Sequence, residues 1–445
     1  MNMENRSYYK QLLLLAVPTF GQLIAEPAFV LIDTAIVGHV SDSALAGLSL
    51  GSTVVLTVVG LCVFLAYSTT SQVARLFGAG KKREGFQAGV NSLWLSLLIG
   101  VVLAAGLFFF AEPICVALGG KGDDLAQAVV YTQAVVLGVP GMLLVYASNG
   151  IFRGMQKVTI TLVAAVSGAV LNTVLDVLFV IVWGWGIAGS GIATCIAQWF
   201  MGCFLLAPSI RWAMQAHVTL VPQLRSIVSA GSDGFPLFLR TLALRVAIVA
   251  TVMAAASMGT QVLAGYQVVN AAWGLMVNAL DSVAIAGQAL VGTQLGAAQY
   301  DKARELTRTT SYAGLGVGVI AGAAFALAGS VAGPFFTPSH DIQILVAAGM
   351  VVMGISLPLQ GWMFALDGIL IGAGDYRYLA RSLGTVSVVY LLVLSVFAFV
   401  IAPFLGSDLA GVVGLWFLFG FVLMGGRGIA NMLRVRGDVW MKIDD

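Results

Sequence analysis

Charge is scarce in this chain. Only 9% of its 445 residues are Asp, Glu, Lys or Arg, against roughly 25% in a soluble domain. A water-soluble globule is excluded, because too little of its surface would be solvated. Acidic and basic residues nearly cancel, leaving a net charge of +2, so no global field draws nucleic acid to the chain. The cysteines are few: Cys62, Cys115, Cys195 and Cys203, all in apolar stretches and none in a C-x-x-C pair. They imply neither a disulfide framework nor a zinc site and read as small packing residues. His39, His217 and His340 fall between apolar runs, and neither H-E-x-x-H nor a G-x-x-x-x-G-K-[ST] phosphate loop occurs. Enzyme chemistry, a cofactor and a bound metal are therefore not expected. No filter-like segment or ring of acids suggests a channel.

Apolar residues are abundant, at 59%, and they are arranged twice. Residues 18–162 shifted by 218 positions fall on a second copy of themselves. Pro18 lands on Pro236, Leu45-Ala46-Gly47 on Leu263-Ala264-Gly265, Pro140 on Pro358, Gly150 on Gly368 and Gly154 on Gly372. Each copy consists of long apolar segments. Crossing ~30 Å of hydrocarbon takes roughly 20 helical residues, and twelve segments meet that length. They are 11–37, 44–75, 88–111, 125–150, 158–184 and 187–207, then 227–257, 261–294, 308–333, 342–372, 378–404 and 407–428. The fold class that follows is an all-α polytopic membrane protein, built as two pseudo-symmetric six-helix bundles. The expected division is an N-terminal lobe at 1–207, a cytoplasmic linker at 208–226 and a C-terminal lobe at 227–445 ending in a cytoplasmic tail. Duplicated bundles are the architecture of alternating-access carriers, in which two halves rock around a shared site. The first segment holds Pro18, Glu26 and Asp33, unlike a cleavable signal peptide, and is read as a mature span.

Basic residues set the orientation. With the N-terminus inside, 19 of 22 Lys and Arg fall in cytoplasmic segments, and only Lys121 falls outside. Arg240 and Arg245 lie within a span. By the positive-inside rule both termini are cytoplasmic, in a multi-pass protein of the plasma (inner) membrane. An even number of spans per copy makes the halves parallel repeats.

Ionisable groups at bilayer depth are costly and usually functional. Asp33 shares span 1 with Glu26, two turns away on one face, and with Pro18 and Pro27, which each remove a backbone hydrogen bond and predict a hinge. Asn172 and Asp176 stand at i, i+4 in span 5, one face of one helix. With Asp33 they make a candidate proton or cation site. An apolar setting disfavours the ionised carboxylate, which suits a group that loads and unloads a proton. Interhelical packing is the bland alternative for the amide and for Glu26. In span 8, Gln267, Asn270, Asn278, Asp281 and Gln288 form one polar stripe, expected to line a bundle interior or a substrate cavity. Arg240 and Arg245 are expected to neutralise Asp281 or Asp367, or to bind an anionic substrate group. Asp367 can also serve as a simple cap. Phe64, Tyr67, Tyr146, Tyr266 and Trp273 are read as packing residues, with a drug pocket as the alternative. The copies differ chemically, since Asp33 is matched by Thr251, Asp281 by Val63 and Asp367 by Asn149.

The strings EPAFVLIDTAIVGHV (26–40), RLFGAGKKREGF (75–86), NGIFRGMQK (149–157), LNTVLDVLF (171–179), LFLRTLALR (237–245) and LDGILIGAGDYR (366–377) resemble the multidrug and toxic compound extrusion (MATE) family. They are most similar to its DNA-damage-inducible F-type branch, over nearly the whole chain. The resemblance implies two six-helix lobes in a V and efflux driven by H⁺ or Na⁺. The family's first-helix aspartate matches Asp33, and its fifth-helix Asn and Asp match Asn172 and Asp176. Second-lobe acids of the Na⁺-coupled branch are matched less well by Asp281 and Asp367, which favours protons in the first lobe. The expected activity is antiport of small amphipathic organic compounds against protons, by a monomer in the lipid bilayer. The alternatives are Na⁺-coupled export and a lipid or cell-wall-precursor flippase of the same superfamily. A major-facilitator exporter is disfavoured by the absence of G-x-x-x-D-R-x-G-R-R after span 2.

Overall fold

In lipid a backbone must satisfy its own hydrogen bonds, so apolar segments of this length fold as helices. The computed structural model describes residues 3–336 and 338–442. Among them, twelve helices are long and apolar enough to cross a membrane. In the first copy these are α1 (Ser7–Gly38), α2 (Asp42–Gly78), α3 (Lys82–Phe109), α4 (Gly122–Gly154), α5 (Val158–Val182) and α6 (Gly186–Gln215). In the second they are α7 (Leu224–Met258), α8 (Thr260–Gly296), α9 (Tyr300–Gly329), α10 (His340–Ala373), α11 (Tyr376–Phe404) and α12 (Asp408–Arg436). Each expected span has its helix. The largest differences are at ends where polar residues extend a helix beyond its apolar run: α3 and α9 start earlier, and α6 and α12 run later. Residues 208–226, expected as a link, are helical up to Gln215 and again from Leu224.

Contacts divide the chain into two compact units. One is Gly21–Phe238; the other is Met1–Phe20 with Leu239–Asp445. The division falls inside α1 and α7, not in the link between α6 and α7. In the first unit, α4 packs on α2, α3 and α6. In the second, α10 packs on α8, α9 and α12. Glycine permits the closest of these approaches. A Cβ on Gly150 would sit 2.5 Å from Thr69 Cβ, and one on Gly154 2.7 Å from Val73 Cβ. Their repeat counterparts Gly368 and Gly372 press on the backbone carbonyls of Ala284 and Gln288. This is the small-xxx-small contact of membrane helices, used at the same place in both copies. The copies share an irregularity too. The π-helical segments Val177–Val182 in α5 and Phe397–Ile401 in α11 lie at nearly corresponding positions.

Candidate functional site

The Gly21–Phe238 unit gathers the polar groups anticipated in spans 1 and 5. Asp33 on α1 is 3% exposed, and Asn172 and Asp176 on α5 are fully buried. The Asn172 side-chain amide donates 2.6 Å hydrogen bonds to Asp33 Oδ1 and to Asp176 Oδ2. One nitrogen therefore ties two carboxyl groups from two helices. Thr194 of α6 adds a longer bond to Asp33 Oδ2, at 3.4 Å. Ser190, one turn earlier on α6, lies against Asp176. Tyr131 of α4 closes the side nearest α2, where Ser52 donates to its hydroxyl at 3.3 Å. Asp176 is the last α-helical residue before the π segment of α5, so a locally widened helix carries the second carboxyl. Thr194, Ser190 and Tyr131 were not anticipated. Single hydroxyls in apolar helices carry no sequence signal apart from the contact itself.

The second unit repeats this contact with other chemistry. The counterparts of Asp33 and Asn172 are Thr251 and Tyr390, whose hydroxyls meet at 2.6 Å. Asp176 becomes Leu394 and Thr194 becomes Val412, both buried apolar side chains. The duplication kept the helix–helix contact and lost both carboxyls. This position carries ionisable carboxyl groups in one copy only.

A second polar layer is related in the same way. In the first unit Arg153 of α4 donates to Gln22 Oε1 of α1 at 2.8 Å, beside the buried amide of Asn149. The counterparts of Gln22 and Asn149 are Arg240 of α7 and Asp367 of α10, which form a buried ion pair. Arg427 of α12 pairs with the same carboxylate oxygen, and Asn431, one turn on, donates to the other at 2.6 Å. Thus Arg240 meets Asp367 as one of the anticipated pairings, and Asp367 is the centre of a charge cluster and not a solvated cap. Arg245 is exposed and in no ion pair among the described residues. Arg153 and Arg427, taken from sequence as cytoplasmic, are 4% and 3% exposed inside helices. Arg427 was overlooked because it opens a basic run that reads as a tail. The spacing of Arg427, Asn431 and Arg434, one helical face, was the available signal.

The span 8 stripe lies on α8 but is not uniformly interior. Gln288 is buried, Asn270, Asn278 and Asp281 are half-buried, and Gln267 is exposed. Trp273 and Tyr266 are core residues. Trp273 donates to Gln360 at 2.9 Å, and Tyr266 stacks on Trp416 at 4.6 Å. Phe64 meets Phe238 edge to face. Tyr146 instead lines a cavity of ≈ 80 Å³ with Gln22, Glu26 and Asn149. A neighbouring cavity of ≈ 40 Å³ has Asp33, Tyr131, Thr194 and again Glu26 in its wall. Each is large enough for a few waters. Glu26 borders both, between Asp33 and the Gln22–Arg153 layer. Pro18 and Pro27 lie within α1, which is continuous helix through both. A G-x-S-x-G string is present at Gly47–Gly51. It lies inside α2 with the Ser49 hydroxyl bonded to the Leu45 carbonyl at 3.0 Å, unlike the strained strand-to-helix turn of a hydrolase nucleophile.

These arrangements have relatives. The MatE family model matches residues 18–178 and 236–397, the two copies of the repeat. Protein DETOXIFICATION 44, chloroplastic, of Arabidopsis thaliana is 30% identical, over 92% of this chain and 79% of its own length. DNA damage-inducible protein F of Escherichia coli (strain K12) is 26% identical, over 85% of this chain and 84% of its own. The bent form of the Vibrio cholerae MATE transporter VcmN has the same fold, with a TM-score of 0.84 at 21% identity, covering 99% of this chain and all of that one.

Proposed function

The chain belongs to the MATE family of membrane transporters, and from that premise we propose that it exports small amphipathic organic compounds in exchange for protons. The observation that carries this reading is the Asn172 amide holding Asp33 and Asp176 at 2.6 Å each in a buried site. Two carboxylates cannot easily both stay ionised so close together in a low-dielectric interior, so the pair takes up a proton. The matching Thr251–Tyr390 contact has no carboxyl, and this supports assigning coupling to the first copy.

The working cycle follows from the charge. Protonating Asp33 removes the need for a polar partner at that point of α1. The helix then repacks within its bundle by bending at Pro18 and Pro27, and the substrate space changes with it. A ligand shifts such an equilibrium only by binding one state better. The proton therefore binds more tightly in the outward-open state that releases substrate, and leaves inward as the cavity resets. Glu26, which borders the cavities on both sides, is the intermediate station for the proton. The reading places the protein in the plasma membrane with both termini in the cytoplasm.

The test is transport in liposomes of purified protein under an imposed ΔpH or ΔNa⁺, against cationic, neutral and anionic compounds. Export of an amphipathic cation driven by ΔpH, and lost in Asp33→Asn, is expected. Export driven by ΔNa⁺ and indifferent to ΔpH would overturn proton coupling.

A further inference from the structure

A groove of ≈ 430 Å³ opens in the second unit, away from the polar layers described above. One wall is a single stripe of α9. Arg304, Arg308, Tyr312 and Leu315 recur at the spacing of one helical face. The opposite wall is the end of α12, where Arg436 projects, followed by the 3₁₀ turn Val439–Met441 carrying Trp440. Trp362 and Leu366 of α10 also line it. No acidic side chain lines the groove. Asp438, just beyond its mouth, pairs with Arg304. Arg308 and Arg436 are exposed and in no ion pair among the described residues.

The stripe is graded along the helix. Arginines occupy the first turns of α9, the half-polar Tyr312 follows, and Leu315 comes last. The eleven residue steps from Arg304 to Leu315 span roughly 16 Å at 1.5 Å per residue. Tyr312 is 65% exposed and Leu315 39%, although both belong to a helix that crosses the membrane. On α12, Met432 and Val435 supply apolar lining to the facing wall. The groove thus begins with cations at the helix ends and continues into apolar lining at Leu315, Met432 and Val435. That gradient matches one molecule: an anionic headgroup, a glycerol backbone and an acyl chain. Free phosphate would use only the first third. Basic pockets between helices at the membrane surface are known receptors for anionic headgroups.

We propose that this groove binds an anionic phospholipid, with its phosphate on Arg308 and Arg436, its glycerol region beside Tyr312 and Trp440, and a chain along Leu315. In the topology proposed above it faces the cytoplasmic leaflet. Only that choice of leaflet rests on the functional reading; the binding does not.

The test is native mass spectrometry of the full-length protein in detergent, titrated with phosphatidylglycerol, phosphatidylcholine or inorganic phosphate. Phosphatidylglycerol should be retained in preference to phosphatidylcholine. The double variant Arg308→Gln/Arg436→Gln should weaken it on the order of ten-fold or more, two surface cations being lost. Arg377→Gln/Arg381→Gln removes two exposed charges of α11 outside the groove and should leave the preference unchanged. Asp33→Asn should also leave it unchanged, which separates this site from the coupling site. Equal retention of both lipids, or equal loss in the Arg377/Arg381 variant, would overturn the proposal. So would competition by millimolar inorganic phosphate, because a lipid held along its whole length is not displaced by its headgroup anion.

Discussion

Two side chains decide the chemistry of each polar layer. Asp33→Asn keeps a hydrogen-bonding group at the site but cannot release a proton, so ΔpH-driven export should fall to that of protein-free liposomes with folding intact. Asn172→Ala unties both carboxyls at once and should impair transport more than Thr194→Val. The Thr194 bond is long at 3.4 Å, and its loss should cost about two- to ten-fold. A Thr194→Val defect as deep as that of Asp33→Asn would mean that the hydroxyl, and not the carboxyl pair, is central. The Asp367 cluster makes a different kind of prediction, in stability. Asp367→Ala leaves Arg240 and Arg427 facing each other in a buried site and should cost about 3–5 kcal/mol. Arg427→Met leaves the Arg240–Asp367 pair in place and should cost clearly less. Thermal unfolding in detergent reads the difference; equal losses would show that Arg427 carries the cluster.

Single helices carry the packing and the motion. Gly150 and Gly154 of α4, like Gly368 and Gly372 of α10, have no space for a side chain because backbone or side-chain atoms of α2 and α8 fill it. Gly154→Val or Gly368→Val should abolish the monodisperse peak in size-exclusion chromatography. Gly106→Ala, with nothing within 4 Å of the added Cβ, should not. For α1, the two prolines and Asp33 together predict a pH-dependent bend. Spin labels at Val30 on α1 and Val166 on α5 should report distances that shift between low and high pH in wild type and stay fixed in Asp33→Asn. Distributions that ignore pH in wild type, or still follow it in the variant, would rule out bending driven by this carboxyl.

At the scale of the whole molecule, orientation is set by charge in the loops. Single cysteines at Asp123 and Asp341, in a background with the exposed Cys203 replaced, should label from outside intact cells; those at Lys82 and Lys302 should not. The Lys and Arg bias behind this expectation survives the burial of Arg153 and Arg427, since seventeen of the nineteen basic residues assigned to that side by sequence are left. Reversed labelling at both pairs would invert the topology and move the proposed lipid groove to the outer leaflet. The sequence alone determined the duplication, the helical class, the number of spans and the trio Asp33, Asn172 and Asp176, because periodicity, length and the cost of charge in hydrocarbon are all local properties of a chain. Only the tertiary structure decided which groups meet. It joined Thr194, Ser190 and Tyr131 to the carboxyl pair, drew Arg427 inward to Asp367, and set Thr251 against Tyr390 where the other copy has Asp33 against Asn172. Those contacts link helices up to 161 residues apart in the chain. No local rule fixes them, because hydroxyls and arginines are tolerated in many settings, and it is the close glycine-mediated packing of helices that selects one.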